Sequence, residues 1–150
     1  ILAAFIQAYQ PAYFSRVGLR YINAFRKAEL GLENAQWREL IQPGYLGLMG
    51  DDDAQEGAFL KNEQNITAAM PGGAKCNIKC GPGMLRKINN QTRQSQEEKV
   101  FMLDIDLFTE GNTPMNHAVP ALNVVHGNAG SLFRGAITDT LHDAMEPRDA

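Results

Sequence analysis

Apolar and polar positions alternate along the chain with two different periods, and these divide it into helix-like and strand-like stretches. Ile1, Leu2, Phe5, Ile6 and Tyr9 recur at helical spacing as one apolar stripe, so the chain opens in a helix that Pro11 stops. From Tyr13 to Phe25 the period falls to two. Tyr13, Val17, Leu19, Tyr21 and Phe25 lie on one side and Arg16, Gly18 and Arg20 on the other, the pattern of a strand with one buried and one wetter face. Glu33–Ile41 predicts a short helix capped by Asn34, with Trp37, Leu40 and Ile41 as its apolar edge and Pro43-Gly44 as its stop. Tyr45–Met49 is a second short apolar run, and Asp51-Asp52-Asp53 a solvated loop.

Phe59–Met70 is weakly patterned and predicts a strand that turns at Pro71-Gly72-Gly73. Ala74, Cys76, Ile78 and Cys80 then share one face against Lys75, Asn77 and Lys79, an amphipathic strand. Gly81-Pro82-Gly83 predicts another turn, Met84–Ile88 a continuation of the sheet, and the polar run Asn89–Lys99 an exposed hairpin tip. Val100–Phe108 is the clearest strand, with Phe101, Leu103, Ile105 and Leu107 opposite Met102, Asp104, Asp106 and Phe108. Gly111-Asn112 is expected to end it, and Thr113-Pro114 to open a helix of about five turns through Leu122, Val125, His126, Ala129, Leu132, Phe133 and Leu141. Gly127, Gly130 and Gly135 each cost that helix about 1 kcal/mol relative to Ala and favour a bend or a split. Strands in series joined by tight turns are antiparallel. The predicted class is therefore α+β: a mainly antiparallel sheet of four to five strands packed against a long C-terminal helix and an N-terminal helix, in one domain over 1–150.

Composition narrows the function more than the fold. At 44% apolar, 150 residues supply one core. Fourteen basic against seventeen acidic residues exclude a strongly basic nucleic-acid binder, and Lys75, Lys79, Arg86, Lys87 and Arg93 read as a solvated sheet face. No apolar run is long enough to span a membrane, and the opening segment lacks the basic n-region and cleavage site of a secretory signal. Cys76 and Cys80, four apart in an extended strand and hence about 13 Å from each other, are too distant for a bridge. Two reduced thiols in a cytoplasmic protein, with no cofactor and no membrane or nucleic-acid partner, are expected. The stripe that begins at Ile1 has no cap before it, which predicts a missing N-terminal part.

Candidate chemistry is sparse. Asp104 and Asp106 are two carboxylates on one side of a strand, about 7 Å apart. They suit half of a divalent-metal site or an acid and base pair, but the favoured reading makes them cross-strand partners for Arg16 and Arg20, whose spacing matches. Of His117, His126 and His142, His126 falls on the apolar stripe of the last helix, where a histidine is more often a hydrogen-bonded core or interface residue than a ligand. Zinc-helix, nucleophile-elbow, Walker and dinucleotide fingerprints are absent.

Arg16–Asn23 reads R-V-G-L-R-Y-I-N, Leu103–Phe108 reads L-D-I-D-L-F, and Phe133–Thr138 follows as F-x-x-x-I-T. These segments resemble the C-terminal portion of a sporadically distributed, uncharacterised bacterial family marked by R-[IV]-G-L-R-Y-I-N and L-D-I-D-x-F. The resemblance implies an accessory gene carried by mobile elements, of cassette or defence type. The reading that follows is a non-enzymatic binding domain acting as a homodimer. A small molecule or a protein partner would be held against the sheet or the last helix by Arg16, Arg20, Asp104, Asp106 and His126. The alternative is a metal-dependent hydrolase or nuclease using Asp104 and Asp106 with Glu110.

Overall fold

A computed structural model describes residues 2–88, 93 and 95–146. The elements run α1 (Leu2–Tyr9), β1 (Tyr13–Phe25), α2 (Trp37–Leu40), α3 (Pro43–Leu46), β2 (Gln64–Ala69), β3 (Lys75–Ile88), β4 (Ser95–Pro114), α4 (Ala118–Ala136) and α5 (Asp139–Ala144), with single 3-10 turns between several of them. The four strands form one antiparallel sheet in the order β1-β4-β3-β2, which places the Asp-bearing strand beside the Arg-bearing one. The α+β class follows.

One face of the sheet carries the core. Phe101, Leu103, Ile105 and Leu107 of β4 and Cys76, Ile78 and Cys80 of β3 are buried there, as the period of two requires. The helices cover them: Val125 and Ala129 of α4, Leu40 and Trp37 of α2, Leu46 of α3 and Leu141 of α5. Trp37 stacks at a tilt on Phe101, ring centroids 5.6 Å apart. No helix among the described residues is long and apolar enough to cross a membrane.

Several boundaries differ from the sequence reading, each for a physical reason. The short helix starts at Trp37, not beside Asn34, and the Glu39 carboxylate accepts from the Gln36 N–H to close its first turn. Gly81-Pro82-Gly83 does not turn the chain: β3 runs on through it paired with β4, Pro82 opposite Phe101, whereas the pairing with β2 goes no further than Gln64 opposite Cys80. Beyond that point β3 is an edge, where a proline without an N–H removes no ladder bond. Gly81 also lets the Asn62 carbonyl come close: a Cβ there would lie 2.2 Å from it.

Gly111-Asn112 does not end β4. Between Phe14 and Arg16 the partner strand advances from Thr113 to Glu110, three residues against two, and Gly111 at φ 101° takes up the extra one as a bulge. Pro114 is consequently the end of a strand, and α4 starts at Ala118. The long helix does split. It stops at Ala136, and Thr138 caps α5 by accepting from the Leu141 N–H at 3.3 Å. The junction is tied to α2 by the Ile41–Ile137 bridge and by the Thr138 N–H donating to the Leu40 carbonyl at 2.9 Å. The predicted hairpin tip at 89–99 lies partly outside the described residues; β4 already begins at Ser95.

The N-terminal helix forms, yet from Ala3 onward only Ile6 is half-buried. Phe5 stacks on Phe14 of β1 with centroids 6.5 Å apart, which is its link to the sheet.

Candidate functional site

On the face of the sheet away from the helices, alternation brings Arg16 and Arg20 of β1 next to Asp104 and Asp106 of β4. The contacts are diagonal. Arg20 has Asp106 as its Cα partner but binds Asp104, with Nε and Nη2 donating to the two carboxylate oxygens at 2.8 and 2.6 Å. Arg16, opposite Glu110, donates from Nη2 to both oxygens of Asp106 at 2.8 Å. To get there its guanidinium lies over the Phe108 ring, 4.2 Å from the centroid, and passes Gly18. A Cβ on Gly18 would sit 2.7 Å from the Leu107 carbonyl and 3.4 Å from Arg16 Nη1. The glycine between the arginines is therefore what lets the first of them lie flat.

The rest of this face is matched in the same way. Glu110, passed over by Arg16, takes Lys75 at 2.5 Å; Lys79 takes Glu63 at 3.3 Å; Thr67 donates to the Asn77 side-chain carbonyl at 2.9 Å. The hydrogen bonds from Arg20 hold the Asp104 carboxyl below the usual range, against the opposing effect of desolvation, and the same hydrogen bond raises Arg20. Glu63 is lowered by a hydrogen bond from Asn65 and then by Lys79. Each aspartate thus already accepts two hydrogen bonds from a guanidinium. Among the described residues no group of three His, Cys, Asp or Glu side chains could hold a metal.

The other feature lies on the helix side, where α4 crosses β1. Tyr21 and Asn23 of β1 and Ile105 of β4 form its floor; His126, Ala129, Gly130 and Phe133, at i, i+3, i+4 and i+7 of α4, form its roof. They enclose an apolar cleft of about 260 Å³. At its mouth the Tyr21 hydroxyl and His126 Nδ1 share a 3.0 Å hydrogen bond. Phe133, packed on Phe25 with centroids 6.0 Å apart, closes the far end. The space exists because Ala129 and Gly130 are small; nothing lies within 4 Å of where a Gly130 Cβ would be.

Of the five residues singled out from sequence, the four charged ones come together on one face and His126 stands on the opposite side of the sheet. His142, on α5, has its Nδ1 3.5 Å from an Asp143 carboxylate oxygen. Tyr21, Asn23, Gly130 and Phe133 were missed as site residues. Their signal was faint: an exposed-ended aromatic on the core face of an edge strand, and a glycine inside a helix. In comparisons with protein-family models, curated proteins and solved structures, none matches this chain.

Proposed function

We propose that this chain is a non-enzymatic binding domain and that its ligand site is the cleft between β1 and α4. The observation that carries the reading is the cleft itself: apolar walls, one Tyr21–His126 polar pair at the mouth, and a gap left by Gly130. Such a site suits a small, largely apolar group with one hydrogen-bonding end. The charged residues fit the same reading from the other side, because each of the two aspartates is held by an arginine of the neighbouring strand. The resemblance on Arg16–Asn23 and Leu103–Phe108 supports an accessory, mobile bacterial gene as the source, and two free, buried cysteines suit a reducing cytoplasm.

Indole is a fitting probe, with an apolar body and one N–H. Titrated into ¹⁵N-labelled protein, it is expected to shift the amides of Tyr21, Asn23 and Gly130. Gly130→Leu fills the cleft without a backbone clash and should abolish those shifts while the protein stays folded. Shifts that persist in Gly130→Leu, or none in the parent, would overturn the assignment.

A further inference from the structure

We infer that two copies of this chain join through β1, in antiparallel register about a two-fold axis at Leu19, to make one eight-stranded sheet. β1 is an edge strand of 13 residues, and among the described residues no strand lies on its outer side. Natural edges are blunted by charged side chains, proline, bulges, short length or a covering helix or loop. β1 carries charge only in Arg16 and Arg20. It contains neither Pro nor Lys, the bulge in the β1–β4 pair belongs to β4, and both arginines turn inward to their aspartates. Tyr13, Tyr21 and Ile22 are 49%, 38% and 59% exposed along it.

The occupant follows from the sequence of the strand, which is complementary to itself about its midpoint. With Leu19 on the axis, the core-side pairs are Tyr13 with Phe25, Ser15 with Asn23, Val17 with Tyr21 and Leu19 with Leu19, aromatic or apolar against its kind and polar against polar. On the charged side Arg16 meets Ile22, and Arg20 meets Gly18, which leaves it room; no arginine directly faces another. Moving the axis to Gly18 sets Arg16 against Arg20, and moving it to Tyr21 sets Arg16 against Arg26 and Leu19 against Asn23. The Leu19 register also uses all 13 residues.

The pairing stands without the cleft reading. What rests on that reading is one consequence: the partner's Val17 lies beside Tyr21 at the mouth of the cleft, so each copy completes the other's site.

The test is the solution mass, together with a cross-link. The intact chain should sediment at twice the 16.5 kDa of one copy. Leu19→Cys places two thiols on directly opposite residues, where Cα atoms about 4.5 to 5.5 Å apart fall within disulfide reach. Mild oxidation should convert most of it to a covalent dimer. Ile22→Cys is the control: the two thiols would be six residues apart along the pair, about 20 Å, and should stay unlinked. A monomeric mass for the parent, or equal cross-linking of the two variants, overturns the inference. A monomer that still binds indole in the cleft would sink the dimer and leave the binding site standing.

Discussion

Arg16 binds Asp106 although the residue across from it on β4 is Glu110. Arg20 likewise passes its neighbour Asp106 for Asp104, so both arginines lean the same way along the partner strand. The lean turns two local pairs into a ladder that reaches Lys75 through the released Glu110. It also explains why the sequence places a glycine, and no larger residue, between the arginines.

Gly18 is the most exacting position on that face. In Gly18→Ala the new methyl would lie 2.7 Å from a backbone oxygen and 3.0 Å from the Phe108 Cβ, and neither belongs to a flexible side-chain end. Overpacking of this kind costs about 1 to 3 kcal/mol. Denaturant unfolding should show that loss with an unchanged slope; stability equal to the parent would refute the steric account.

Acid should weaken the fold partly through Asp104. Its carboxyl titrates below its unfolded value in the native state, so the stability it contributes is complete above about pH 4, the unfolded carboxylate range, and is lost as pH falls through the lower native value. Asp104→Asn should therefore flatten the stability profile below pH 4 relative to the parent. Glu63 shifts the same way and will leave part of the slope in place. Parallel profiles would show that the Arg20 contact contributes nothing to the linkage.

The cysteines should be chemically silent while the protein is folded. Burial pushes the Cys80 thiol up to about 11, and its S–H donates to the Tyr45 carbonyl at 3.3 Å. Cys76, four residues earlier on the same strand face, is fully buried. Iodoacetamide at pH 8 should label neither residue in the native state and both in urea, as read by mass spectrometry; fast native labelling of Cys80 would contradict this.

The charged face was largely legible in the sequence, because two strands with period two carried arginines on one and aspartates on the other, and alternation alone put them on a common side. The diagonal offset was not legible, since it depends on β1 meeting β4 in one particular register. The turn signals at Gly81-Pro82-Gly83 and Gly111-Asn112 misled for a related reason: local composition is the same in a turn, at a strand edge and in a bulge. What decides between them is where the neighbouring strand ends or how many residues it spends. The cleft was hidden more deeply. Gly130 reads in sequence as a helix penalty, and only the approach of Tyr21 from a strand more than a hundred residues earlier makes it a wall of a cavity.

The β1–β4 pairing also has a kinetic side. Arg16 and Asp106 are 90 residues apart, and Arg20 and Asp104 are 84 apart. Closing a loop of that length must be paid in chain entropy before any contact rewards it, and topologies dominated by such pairings fold in roughly milliseconds to seconds. During synthesis β1 therefore waits without a sheet neighbour of its own chain until β4 leaves the ribosome. What forms earlier is confined to α1, α2, α3 and the β2–β3 hairpin, so the rate of folding should depend on the β1–β4 closure far more than on the hairpin made before it.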